Sequence, residues 1–152
     1  MTQTLAAFAP AAAPASRTGG PRLALRIALA AVYAAAGVMH LSAADKFALI
    51  VPPVIPFGHT VVLLTGACEI AGALGLMLPP TRRLAGVMLA LYALCVWPAN
   101  IYQALWHVSL PPIPDSWWYH GPRLAFQPVI IWWALYAGGV IAWPFGKRPA
   151  RR

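Results

Sequence analysis

Charged residues, and acidic ones above all, are scarce in this sequence. Only 9% of its 152 residues are Asp, Glu, Lys or Arg, and only three are acidic, whereas an ordinary soluble domain carries roughly 25% charged residues. Hydrophobic residues make up 61% of the chain, and the mean hydropathy is +0.68. This composition argues against a separate soluble domain and predicts a membrane protein.

Cysteine is also scarce. Cys68 and Cys95 both lie inside apolar runs, with neither a Cys-x-x-Cys motif nor a zinc-binding spacing, which argues against a disulfide scaffold or a structural metal site. The two thiols are predicted at comparable depth, so they would form a redox pair only if their helices were adjacent. Buried, unreactive thiols are the favoured interpretation.

Basic residues are the charged type that the sequence does contain, and they give it a formal net charge of +8. A nucleic-acid-binding protein would place them in one basic stripe interleaved with aromatic residues. Here they lie mostly at the ends of apolar segments. This distribution is typical of residues that orient a protein in a membrane, and it does not indicate nucleic-acid binding.

Four apolar segments are each long enough to cross a bilayer, which takes about 20 residues. They are Leu23–Leu41, Thr60–Leu78, Leu84–Leu105 and Leu124–Trp143. The sequence therefore predicts an all-α protein, a bundle of four transmembrane helices within residues 22–145. Residues 1–21, rich in Ala and Pro, are predicted to be a disordered cytoplasmic tail rather than a secretory signal, and residues 146–152 a basic cytoplasmic tail. The segment HVSLPPIPDSWWYHGPR is too rich in proline to be predicted helical.

The basic residues also predict the orientation, because cytoplasmic loops retain Lys and Arg. One side carries Arg17, Arg22, Arg82, Arg83, Lys147, Arg148, Arg151 and Arg152, whereas the other carries Lys46 and Arg123. Both termini are therefore expected in the cytoplasm, and Arg26 is expected to extend to the inner interface. Abundant Ala and Pro are typical of a GC-rich bacterial genome, so the expected location is the bacterial cytoplasmic (inner) membrane.

Four polar residues lie where apolar ones are expected, at or inside the predicted spans: His40, Glu69, Asn100 and Gln127. Each shares its helix face with Gly or Ala residues, which let transmembrane helices approach closely. We therefore expect these side chains to converge on one interior in the outer half of the bundle, as a binding site or as hydrogen-bonding contacts between helices. Residues that could assist them are Tyr33, His59, Tyr102 and Arg123.

The third predicted span contains a proline, Pro98, near its outer end. Proline lacks the amide that would bond the carbonyl of Leu94, so we expect a kink there.

The chain's four histidines, His40, His59, His107 and His120, all fall on the predicted outer side. Two or more of them could ligate haem or a metal. Because no spacing singles out a pair, ordinary hydrogen bonding is favoured, and no metal site is predicted.

Taken together, the polar and proline positions resemble the DoxX-like family of small four-helix membrane proteins. The resemblance extends from Arg22 to Trp143. Its matching elements are Gly37 with His40, then Pro52, Pro53 and Pro56 in the first loop, Gly66 with Glu69, Arg82 with Arg83, Pro98 with Ala99 and Asn100, and Arg123 with Gln127.

The resemblance implies a subunit of, or accessory to, a membrane redox system, because one branch of the family resembles a quinone-reducing thiosulfate oxidoreductase subunit. No cofactor motif is evident in the sequence. The resemblance suggests a quinone as a cofactor, and the chain would not be catalytic alone. The alternative is a non-catalytic assembly or maturation factor for a partner membrane or periplasmic protein. A transporter is less favoured, because four spans without an inverted repeat leave little room for alternating access.

Overall fold

The structure, a computed structural model, describes residues 20–143, and its regular elements are helices. They are α1 (Gly20–Ser42), α2 (Ala44–Ala48), α3 (Gly58–Met77), α4 (Arg82–Leu105), α5 (Trp117–Ala125) and α6 (Gln127–Ala137). By length and composition α1, α3 and α4 can each cross a membrane. The all-α prediction is thereby confirmed, and the three long helices have the length and composition that the membrane prediction requires. The predicted tails lie outside the described residues, except that α1 already begins at Gly20.

The fourth predicted span, Leu124–Trp143, is not one helix. A turn at Phe126 separates α5 from α6, and α6 has only 11 residues, a length of about 16 Å. Pro128 accounts for the break, because it has no amide hydrogen to bond the carbonyl of Leu124. The far end of α6 is followed by Gly139, whose φ of 75° is left-handed and cannot continue a helix.

Helix α5 occupies the end of the segment that was predicted to be non-helical. That prediction was wrong for residues 117–123 and is confirmed for residues 107–116. Ser116 begins the helix, because its side chain accepts a hydrogen bond from the backbone amide of Trp118 at 3.3 Å. Pro122 lies in the second turn and removes one further backbone bond. This short helix places Arg123 next to the predicted spans instead of in an outer loop.

The long helices pack around a core of small and aliphatic side chains. Helix α1 contacts α3, α3 contacts α4, α4 contacts α6, and α6 returns to α1. At the crossing of α4 and α6, a Cβ atom added at Gly86 would lie 2.8 Å from the Cα atom of Gly138. Only glycine permits such an approach. The core residues between the helices include Leu29, Leu76, Leu89 and Ala134.

Arginine side chains bind the carbonyl groups at the C-terminal ends of α3 and α6. Helix ends leave such carbonyls without backbone partners, and a nearby arginine satisfies them. Arg26, 9% exposed, donates from Nε to the carbonyl of Ala137 at 2.9 Å, and its extension to the inner interface stays a prediction. Three further bonds of this kind join Arg22 to the carbonyl of Ile141, Arg82 to that of Leu76 and Arg83 to that of Gly139. We call the end of the bundle that holds Arg22, Arg26, Arg82 and Arg83 the arginine end.

Candidate functional site

A cavity of about 620 Å³ lies among α1, α3, α4 and α6, toward the end of the bundle that carries α2 and α5. Its walls are largely apolar, as in most small-molecule sites. All four principal candidates from the sequence line it. Its polar lining residues include Tyr33, His40, Thr65, Glu69, Tyr92, Asn100, Arg123 and Gln127.

Two glycines bring His40 and Glu69 together. A Cβ atom added at Gly37 of α1 would lie 3.2 Å from the Cβ atom of Glu69, and one added at Gly66 of α3 would lie 3.1 Å from the Cβ atom of His40. Each glycine thus packs against the polar residue of the other helix. The resulting approach leaves His40 Nδ1 only 2.5 Å from Glu69 Oε2.

The pair formed by His40 and Glu69 lies in a mixed environment. The Glu69 side chain is 4% exposed and that of His40 is 22% exposed. The ring of Phe47 meets the imidazole edge-on, with centroids 4.5 Å apart, and the Tyr92 side chain interacts with both Glu69 and Thr65. A contact this short is typical of a charge-assisted hydrogen bond. Such a pair can hold a proton at the cavity wall or pass it to a ligand oxygen.

A second polar group surrounds Arg123. Its Nη1 atom donates to Gln103 Oε1 at 2.6 Å, and its Nη2 atom donates to Asn100 Oδ1. The guanidinium also lies 5.6 Å from the centroid of the Tyr119 ring. The group can present a positive charge and N–H donors to the cavity.

Gln127 joins α6 to α4 close to the proline. Its Nε2 atom donates to the backbone carbonyl of Ala93 at 2.5 Å, and the side chain is buried. Helix α4 continues unbroken through Pro98 to Leu105. The kink expected at Pro98 stays a prediction. The carbonyl that Pro98 leaves without an amide partner is that of Leu94, one residue after the carbonyl that Gln127 binds.

The remaining sequence candidates divide between the cavity and the surface. Tyr33 lines the cavity and donates to the carbonyl of Leu89 at 3.4 Å. His59 lies apart, where it pairs with exposed Asp45 at 3.4 Å. Tyr102 stacks on Trp106 outside the cavity lining. Of the three loop prolines, Pro52 contributes to the lining, whereas Pro53 and Pro56 are exposed.

The histidines do not converge on one point. His107 and His120 both approach Asp115 Oδ1, each at 3.2 Å, far along the chain from the pair at His40. Within the described part of the chain, no group of three or more His, Cys, Asp or Glu side chains could hold a metal ion. Cys68 and Cys95 are free and exposed, so the expectation that they are buried was wrong.

Sequence reasoning missed three residues of the site, Gln103, Tyr92 and Thr65. Gln103 is 1% exposed and binds Arg123, and its spacing of three residues from Asn100 was a usable signal, because it puts both amides on one helix face. Tyr92 and Thr65 carried no such signal, since both residue types are common in apolar helices.

A family model described as a domain of unknown function, DUF8561, matches residues 29–137. No curated protein and no solved structure matches the chain. The matched range begins within α1 and ends with α6, and it contains every residue that lines the cavity, from Leu29 to Trp133.

Proposed function

Because the chain belongs to the DUF8561 family, whose domain has no assigned function, we propose a function from its cavity. The protein binds a small amphipathic molecule, with a quinone as the first candidate, between its membrane helices. The observation that carries this proposal is a single cavity with apolar walls and two separate polar groups, one at His40 and Glu69 and one at Arg123.

The size and lining of the cavity suit such a ligand. A volume of about 620 Å³ falls within the range of roughly 300–1,000 Å³ for small-molecule sites. One carbonyl oxygen of the quinone would accept a hydrogen bond from His40, whose Nε2 atom makes no hydrogen bond within residues 20–143. The other carbonyl oxygen would accept a hydrogen bond from Arg123. An apolar tail would lie against side chains such as Leu29 and Ile50.

The arrangement in the bilayer is part of the proposal. We place α1, α3 and α4 across the membrane, with α5 and α6 together supplying the fourth crossing of the predicted four-helix bundle. The arginine end would lie in the cytoplasm, because cytoplasmic segments retain arginine. The cavity would then lie in the outer half of a bacterial inner membrane, which is where the sequence predicted the polar site.

The redox role rests on the resemblance to DoxX-like proteins and stays a prediction. His40 and Glu69 would hold or transfer protons at the ligand, whereas a partner membrane or periplasmic protein would supply electrons. The second candidate function, assembly or maturation of a partner protein, is favoured by Trp118 in α5, which is 92% exposed, since exposed tryptophan is enriched where proteins bind one another.

The chain offers a matched control for testing the cavity. His59 and Asp45 form the same type of pair as His40 and Glu69, but both are exposed. The measurement is the affinity of the full-length protein for a short-chain quinone in mild detergent, together with mass spectrometry of molecules that copurify with it.

We expect Glu69→Gln and His40→Gln each to weaken quinone binding about 10- to 100-fold, because a hydrogen bond to a charged group contributes about 1.5–3 kcal/mol. Asp45→Asn and His59→Gln should leave affinity unchanged. Equal affinity in all four variants, with no copurifying small molecule, would refute the cavity as a ligand site. If deleting Trp118 and its neighbours then releases a partner protein, the assembly role is the better account.

A further inference from the structure

The three acidic side chains of the protein are all engaged by histidine. Asp45 pairs with His59. Glu69 pairs with His40. Asp115 pairs with both of the histidines near it in the outer segment. Because the sequence contains only three Asp and Glu residues, no acidic side chain remains to neutralise a buried arginine.

Arg123 is the arginine for which this matters. It is half-buried and lines the cavity, yet within residues 20–143 it forms no ion pair, and its side-chain acceptors are the neutral amides of Asn100 and Gln103. The arginines of the arginine end, in contrast, bind helix carbonyls that carry partial negative charge. A guanidinium taken partly out of water without a counterion is unfavourable unless a binding partner supplies the charge.

The amide partners hold this side chain in place without neutralising it. A guanidinium has five N–H groups in a fixed plane, and the two bonds to Asn100 and Gln103 leave three of them. Gln103 is 1% exposed, so it is a rigid support. The guanidinium is therefore held at the cavity wall with a charge that an incoming anion would stabilise.

We infer that the ligand of the cavity is an anionic amphiphile, an apolar molecule whose negatively charged oxygen binds Arg123. The inference rests on the proposed function, because it names the chemical class of the molecule that the cavity holds. It favours acidic ligands, such as an ionised hydroxyquinone, a fatty carboxylate or a lipid phosphate, over a neutral quinone of the same size. The pair at His40 and Glu69 would then bind the opposite, uncharged edge of the ligand.

The test compares two ligands that differ in charge and hardly in shape. An alkyl hydroxynaphthoquinone is ionised at neutral pH, whereas its methyl ether is neutral. Their binding to the full-length protein in phosphatidylcholine nanodiscs is measured by equilibrium dialysis, with empty nanodiscs subtracted. The variants are Arg123→Gln and the control Lys46→Gln, which removes an exposed positive charge outside the cavity.

We expect the wild type to bind the anion at least tenfold more tightly than the ether, and to lose that preference when the pH falls below the ionisation range of the ligand's hydroxyl group. Arg123→Gln should abolish the preference and Lys46→Gln should retain it. Competition by phosphatidylglycerol, whose head group carries a net negative charge that phosphatidylcholine lacks, would also support the inference and would identify an anionic lipid as the source of the charge.

The outcomes separate this inference from the proposed function. If the wild type binds anion and ether equally, the inference is overturned, whereas the cavity remains a ligand site. If neither compound binds, and Glu69→Gln also leaves the affinity for the short-chain quinone unchanged, both the inference and the proposed function are overturned. The comparison of the two ligands on the wild type decides the matter even if Arg123→Gln does not fold.

Discussion

Replacing Gly37 with alanine tests how the helix crossing builds the site. A Cβ atom at Gly37 would lie 2.7 Å from the backbone oxygen of Gly66 and 2.7 Å from Cγ1 of Ile70. The isoleucine side chain can rotate, but the backbone oxygen belongs to α3 and cannot. The two helices must therefore separate, and His40 must move away from Glu69, because the glycine crossing is what holds those side chains in contact.

The size of the effect follows from two opposing terms. Overpacking a well-packed contact costs about 1–3 kcal/mol, whereas alanine in place of glycine stabilises a helix by about 0.5–1 kcal/mol. The difference between the two terms spans about 0–2.5 kcal/mol, and we expect Gly37→Ala to lower the free energy of unfolding by about 1 kcal/mol, the middle of that range. The affinity for the cavity ligand should fall as well, because the hydrogen bond of 2.5 Å between His40 and Glu69 cannot survive the separation.

The assay is reversible unfolding of the detergent-solubilised protein, followed by circular dichroism, alongside ligand binding. Gly58→Ala is the matched control in α3, because its added Cβ atom would meet nothing closer than 3.5 Å, an ordinary contact. That variant should be as stable as the wild type or more so. A Gly37→Ala protein with unchanged stability and unchanged binding would refute the claim that the crossing positions the pair.

Two further predictions concern other contacts. Gln127→Leu should lower the free energy of unfolding by about 0.5–1.5 kcal/mol, because it removes the hydrogen bond from Gln127 to the carbonyl of Ala93 that joins α6 to α4; a variant as stable as the wild type would show that this bond contributes nothing. Desolvation acts to raise the pKa of Asp115, but hydrogen bonds to His120 and His107 lower it by a larger amount. Its pKa therefore lies below the usual value. The stabilisation is therefore present above the ordinary carboxyl range and is lost as the pH falls through the lowered value. Asp115→Asn should weaken that acid-range dependence in thermal unfolding, and an unaltered pH profile would contradict it.

The sequence was sufficient to predict the long helices. The predicted spans Leu23–Leu41, Thr60–Leu78 and Leu84–Leu105 lie almost entirely within α1, α3 and α4, because an uninterrupted apolar run has few alternatives to a helix in a membrane. The fourth span failed at Pro128, which interrupts one turn without altering the hydropathy of the run. The prediction for the segment that contains α5 failed for the opposite reason. Ser116 begins a helix there, although the prolines of the segment suggested an irregular structure.

The site was predictable only in part. Small-residue stripes indicated which helix faces meet, and His40, Glu69, Asn100 and Gln127 do line one cavity. The stripes could not show the bonds between distant segments, such as the one that joins Arg123 to Gln103, 20 residues away. That contact depends on where α5 lies against α4, and no periodicity within either segment encodes it.

Two histidine–carboxylate pairs, His40 with Glu69 and His59 with Asp45, have the same functional groups but differ in burial. The carboxylate is 4% exposed in one pair and 96% exposed in the other, although the functional groups are the same. Burying a charged pair seldom adds stability over apolar side chains of similar volume, because desolvation offsets the attraction. Glycines at the crossing of α1 and α3 nevertheless bring the buried pair into contact at the wall of an otherwise apolar cavity. An arrangement that stability does not require, at a surface that a ligand can reach, is what a hydrogen-bonding or proton-transferring role at the cavity would need.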